Sequence, residues 1–222
     1  MLETLLEAVP TWVPEKYNYF EPVNRRFDPG NLDEALDVWK RNFLWNRRKP
    51  SVEGGAWFGG RFHSAVFVRV SASAFSPEEA LSFVSSLRRH FRVDLAYIHV
   101  PHDTDFSDIE RYQLRLEPFV VGLATHRLRR GLPDVPWGIF FGPPYIELFG
   151  KEHLLKTPAA RVEETANGIY VQLTTSVESV TADHESYLAA QRAARMHLGA
   201  NAFASIEPVN QPNVPEFVFS VH

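Results

Sequence analysis

The chain predicts an α+β fold, an antiparallel or mixed sheet covered by helices with ferredoxin-like βαβ and βαββα units. Three stretches carry that expectation. Residues 137–175 read as strand, helix, strand, turn, strand; residues 65–100 read as strand, helix, strand; and a long amphipathic pattern runs from Asp183 to Leu198. The junctions between these segments carry turn chemistry: Gly142-Pro143-Pro144 stops a strand, Asn167-Gly168 suits a type I′ hairpin turn, and Gly199 is placed to end a helix.

In chain order, residues 1–60 read as an N-terminal wrapping segment and helix, 61–205 as the α+β core, and 206–222 as a loop with an edge strand. Pro10, Pro14, Pro22 and Pro29 leave no room for a long element, while Trp12, Tyr17, Tyr19, Phe20 and Phe27 are too apolar for a free tail. Asn31 is placed to cap a helix whose apolar stripe is Leu32, Ala35, Leu36, Trp39 and Phe43, with Arg47, Arg48 and Lys49 at its negative end before Pro50. The glycines at 54, 55, 59 and 60 fit neither a dinucleotide fingerprint nor a phosphate loop, because a strand follows them; a turn seating Trp57 and Phe58 on the core is expected.

From Ala65 to Val70 apolar residues alternate, with Val66, Val68 and Val70 expected to face the core. Ser76-Pro77-Glu78-Glu79 has a cap, an N1 proline and a capping-box acid in register, and Ala80, Leu81, Val84, Leu87 and Phe91 give that helix its stripe. Residues 93–100 return as a strand, so the three elements form a βαβ unit with parallel strands. Further on, Ile146, Phe149 and Leu154 mark one helical face, and Tyr187, Gln191, Ala194 and Leu198 mark another. Phe217, Phe219 and Val221 alternate in the expected last strand.

Composition bounds function. The 222 residues have 45% hydrophobic and 23% charged side chains, enough for a sizeable core and too ordinary for global disorder. A net charge of −4 is too mild to make nucleic acid the principal ligand, though it leaves room for a local charged patch. The absence of Cys removes disulfides, thiolate zinc sites and a cysteine nucleophile. The first ten residues lack the charge pattern of a signal peptide, and no run approaches the roughly 20 apolar residues of a membrane helix, so a cytoplasmic protein without membrane contact is expected.

The run from Trp137 through Gly142 and Tyr145 to Gly150, then the Asn-Gly turn, the strand GIYVQLT and the helix YLAAQRAARMHLGANAF, resembles bacterial immunity proteins of polymorphic-toxin and type VI secretion systems. More narrowly it is similar to families paired with restriction-endonuclease-like toxins, over residues 55–205. The resemblance implies a stoichiometric inhibitor of a cognate secreted toxin, a nuclease effector, with no catalytic residue, cofactor or metal of its own. It also implies that Trp137, Gly142, Tyr145, Gly168 and Tyr187 determine the fold.

A nuclease inhibitor must compete with phosphates in a basic cleft or clamp a flanking surface. The expected contact is the acidic loop carrying Asp103, Asp105, Phe106, Asp108 and Glu110, although Asp residues there could equally cap the next helix. The same loop gives the alternative reading, a metal-dependent hydrolase using His99, His102 and Asp105, with Asp103 and Asp108 as further donor types. The other seven histidines show no recognisable pairing, and Lys151, Glu152 and His153 read as solvated surface. A third reading is a small-molecule sensor or structural partner protein, with Phe141, Tyr145 and Phe149, if exposed, forming an association surface; an open sheet edge would permit homodimerisation.

Overall fold

The structure, a computed structural model, describes residues 2–39, 42–57, 64–100, 128–204 and 212–219. It is α+β, built from two antiparallel sheets with helices. The chain divides into two compact units between Phe91 and Arg92. The boundary expected near residue 60 lies outside the described residues, between two strands that pair along their full length.

The first unit contains α1 (Leu2–Ala8), β1 (Lys16–Asn18), β2 (Arg25–Arg26), α2 (Leu32–Trp39), β3 (Asn42–Arg47), β4 (Val52–Trp57), β5 (Ala65–Val70) and α3 (Pro77–His90). Its sheet has the order β2-β1-β3-β4-β5, every neighbour antiparallel. The prolines keep the early elements short, and Trp12, Tyr17 and Phe27 are buried as their apolarity requires, whereas Tyr19 and Phe20 are exposed.

Two expectations fail in this unit for identifiable reasons. The helix from residue 32 stops at Trp39, and Phe43 to Arg47 belong to a strand. Phe43 and Trp45 alternate with Leu44 at the strand period, and both rings sink into the core between β1 and β4, with Tyr17 stacked on Phe43 at 5.5 Å. The basic trio therefore closes no helix: Arg47 ends β3, its guanidinium donating to the carbonyls of Val13 and Lys49. Gly54 and Gly55 likewise lie within β4 instead of a turn. A Cβ on Gly54 would sit 2.0 Å from the Trp45 ring, so the missing side chain leaves room for that indole to cross the strand. Trp57 is exposed instead of seated on the core, and Phe58 lies outside the described residues.

α3 starts as its sequence requires, with the Ser76 hydroxyl accepting from the Glu79 amide at 3.2 Å. Its buried face is Ala80, Phe83 and Ser86; Leu81, Val84 and Leu87 are only half-buried and Phe91 is exposed. The face turns toward Phe83 because Trp12 packs edge-on against that ring at 5.7 Å. β5 does not resolve into one buried side: Val66, Val68 and Val70 are half-buried, as are Ala65 and Phe67. Nor do β5 and the next strand make a parallel pair, since each joins a different sheet.

The second unit contains β6 (Leu95–Ile98), β7 (Gly138–Phe141), α4 (Pro143–Phe149), α5 (Lys151–Leu155), β8 (Arg161–Thr165), β9 (Gly168–Gln172), α6 (Ser179–Ala182) and α7 (His184–Leu198). The sheet order is β6-β7-β9-β8. β7 and β8 each pair antiparallel with β9, so they run parallel to each other with β9 between them, a split βαβ of the ferredoxin-like kind. Every residue of β7 and β9 is buried, and both strands are apolar but for Gln172 at the end of β9.

The hairpin between β8 and β9 turns on Ala166-Asn167, because Thr165 pairs with Gly168. Gly168 is required for space: a Cβ there would meet the Phe140 ring at 2.1 Å and the Phe141 carbonyl at 2.5 Å. Gly150, at φ +83°, separates α4 from α5. α7 follows its expected bounds, capped by Asp183 and ended by Gly199, with Tyr187, Ala194 and Leu198 buried. Trp137, Tyr145 and Tyr187 are each no more than 2% exposed. In place of the expected last strand, Glu216–Phe219 forms one 3₁₀ turn, held by the Arg129 side chain donating to the Val218 carbonyl at 2.8 Å. Among the described residues, no helix is long and apolar enough to cross a membrane.

Candidate functional site

The acidic loop that bears Asp103, Asp105, Phe106, Asp108 and Glu110 lies outside the described residues, as does His102. His99 is described. It follows β6 with its ring half-buried and 6.4 Å from that of Tyr187, which places it in the body of the second unit.

That body holds a knot of polar side chains around α7. The Asp134 carboxylate accepts from the Val135 amide at 2.8 Å through one oxygen and from the Arg195 guanidinium at 3.1 Å through the other. Its side chain is 8% exposed and that of Arg195 is 32% exposed, so the pair is only partly screened by water. One turn earlier Gln191 donates to the Val135 carbonyl at 2.8 Å and to the Tyr187 hydroxyl at 3.2 Å. The guanidinium of Arg195 also lies 4.7 Å from the centre of the Phe203 ring. Helical spacing explains the set: Tyr187, Gln191 and Arg195 fall at intervals of four on one face of α7 and reach the segment that leads into β7. Chemically this is a strut. Its charges neutralise each other and its donors and acceptors tie a helix to a strand entrance.

Burial pushes the Tyr97 hydroxyl far above its ordinary range, with Tyr145 and Asp134 nearby adding to the shift, and does the same to Tyr145, with Asp94 adding. Both tyrosines stay protonated in the fold at pH values where an unfolded chain ionises them. A raised folded-state value contributes stability below the ordinary tyrosine value of 10.0 and loses it as pH rises beyond that. Urea melts are therefore expected to show stability falling above about pH 10. The Tyr97→Phe, Tyr145→Phe double variant is expected to show a smaller fall; an equal fall would remove these groups as its cause.

A second cluster was invisible in the sequence. His153 on α5 and His197 on α7 stack with ring centres 4.0 Å apart and planes inclined by 9°. Each ring Nε2 lies 2.8 Å from the other residue's carbonyl oxygen, so each Nε2 carries its proton and donates. His153 is exposed, as the sequence suggests, and is also half of a clasp between two helices. Phe141, Tyr145 and Phe149 form no association surface: the first two are buried and the three rings pack on one another.

The first unit offers a different environment. Cross-strand register places Arg26, Lys16, Asn46, Glu53 and Arg69 in one row across all five strands, on the face opposite Tyr17 and Trp45. The next positions on that face are Leu44, Gly55 and Phe67, then Asn42, Trp57 and Ala65. Trp57 stacks on Phe67 at 5.2 Å, and the Arg69 guanidinium lies 5.3 Å from the Phe67 ring centre. A shallow depression of about 330 Å³ adjoins the polar row, bordered by Glu15, Lys16, Asn46, Arg48, Ser51 and Glu53. No local sequence signal could have found this face, since it is assembled by register from five separate strands.

No family model, curated protein or solved structure matches this chain. The reading of function therefore rests on its own side chains. Among the described residues no three His, Asp or Glu converge as ligands for a metal.

Proposed function

We propose that the protein is an immunity-type binding module, acting in the cytoplasm of a toxin-producing bacterium and neutralising a cognate toxin by covering its working surface. The observation that carries this reading is the commitment of the interior polar groups. Asp134, the most enclosed carboxylate described, has both oxygens engaged by Val135 and Arg195, and Gln191 and Tyr187 complete the same strut. Tyr187, Gln191 and Arg195 of α7 thus hold the fold together, and the described surface offers another molecule shape, aromatic area and charge. The order of strands, glycines and buried aromatics that resembles immunity proteins supplies the partner class, a nuclease effector.

The reading expects a neighbouring gene to encode a polymorphic toxin, and the test expresses the C-terminal effector domain of that gene's product in a host that it kills. Co-expression of the full chain is expected to restore growth and yield a stable complex; neither rescue nor complex would defeat the reading. The acidic loop is examined in the same assay. Reversing Asp103, Asp105 and Asp108 to Lys is expected to weaken the complex by about tenfold or more while leaving the circular dichroism unchanged. Unchanged affinity would remove that loop from the interface.

A further inference from the structure

The two faces of the first unit's sheet differ in chemistry. One buries Tyr17, Phe43, Trp45, Val52 and Ala56. The other keeps Trp57 at 38% exposure beside Phe67, in a field of cations and amides. We propose that this second face grips the toxin, and that the toxin presents to it an apolar patch rimmed by carboxylates. The proposal rests on the toxin-neutralising reading and adds the surface, the partner's chemistry and the mode of inhibition.

Geometry makes the ledge presentable. A Cβ on Gly55 would lie 2.3 Å from Phe67 Cε1, so the missing side chain lets Phe67 lean across the strand. Trp57 then stacks on Phe67 from the neighbouring strand, and Arg69 approaches the same ring. Tryptophan and arginine at the centre of an exposed patch are the residue types that dominate binding energy at protein interfaces.

Charge decides the partner. The acid of the row, Glu53, faces Arg69 at 3.7 Å, and the single charge of Glu15 at its border, which accepts from the Arg48 backbone amide at 3.1 Å, is outnumbered by the cations around it. Lys16, Arg26 and Arg48 are exposed and have no ion pair among the described residues, so the face carries an excess of positive charge. A partner surface of opposite sign is steered toward it, and one of like sign is repelled. A nuclease cleft that holds phosphates is basic. The acidic partner patch must then flank that cleft, and inhibition through this face works by steric cover instead of phosphate mimicry.

The experiment is a calorimetric titration of the full chain with the catalytically inactivated effector domain of the toxin that the reading expects from a neighbouring gene, paired with the growth-rescue assay. Trp57→Ala is expected to weaken binding by about 30-fold or more. The combined Lys16→Glu, Arg26→Glu, Arg48→Glu variant is expected to lose about 100-fold or more, and wild-type affinity is expected to fall as salt is raised. Met196→Ala, at an 82% exposed position of α7, should bind as wild type does. Variants that bind and rescue like wild type would overturn this face and leave the immunity reading standing, whereas a wild-type chain that neither binds nor rescues would defeat both. If Trp57→Ala lowers the melting temperature and leaves affinity unchanged, the ring only covers Phe67 and the proposal fails. Binding of a fluorescein-labelled oligo-dT strand that Trp57→Ala abolishes, with no effect on the toxin complex, would likewise overturn it in favour of nucleic acid.

Discussion

Gly142→Ala is expected to cost the second unit at least about 3 kcal/mol, a large share of a domain's stability, because the added methyl has nowhere to go. A Cβ at this position would lie 2.2 Å from the Val93 carbonyl oxygen and 2.8 Å from the Asp94 Cα and carbonyl oxygen. Those obstacles are backbone, which cannot rotate aside as a side chain can. The backbone is also held there: the Gly142 amide donates to the Asp94 carbonyl at 2.9 Å, just beyond the last paired residues of β6 and β7. On its other side Gly142 caps α4, its carbonyl accepting from Tyr145 and Ile146 at 3.1 Å. Moving the residue therefore pulls on a strand pair and a helix start together. Conformational freedom is not the issue, since its φ is −80°. Gly150 supplies the opposite case: its φ is +83° and nothing lies within 4 Å of a built Cβ. Gly150→Ala should cost only about 1 kcal/mol, the penalty of a left-handed backbone. Urea unfolding followed by circular dichroism separates the two; equal losses would show that space at Gly142 is not what selects glycine.

The contrast shows what was legible in the chain. The breakers at 142–144 and the cap and stop of α7 were readable because each acts within a few residues of where it stands. The reason for Gly168 was not, since the hairpin signal was local while the true constraint is the ring of Phe140, two strands' pairing away in the sequence. Phe43 misled in a similar way: it lies four residues after Trp39 and two before Trp45, so helical and strand periods both claim it. Only the pairing of β3 with β1 and β4 decides between them. The candidate surfaces were less legible than the fold. His153 and His197 meet across 44 positions of sequence, and the row from Arg26 to Arg69 exists only once five strands have found their register. Neither leaves a periodicity that a single chain could display.

Arg195→Ala is expected to destabilise the second unit by about 2 kcal/mol or more, because it removes a charge-assisted hydrogen bond from an enclosed carboxylate. Asp134 would keep the Val135 amide as donor, but its carboxylate would lose the guanidinium 3.1 Å away in a site where its side chain is 8% exposed. The cation beside Phe203 would vanish as well. Asp134→Ala alone leaves the less buried partner, and Arg195, 32% exposed, can turn toward water, so that variant should lose less. The double variant Asp134→Ala, Arg195→Ala carries no stranded charge and is expected to lose less than the sum of the single losses, giving a coupling of at least about 1 kcal/mol in a double-mutant cycle. Strict additivity would mean that the two groups are solvated independently. The ion pair would then contribute nothing to the strut around α7, and Tyr187 and Gln191 would be left to tie that helix to the entrance of β7.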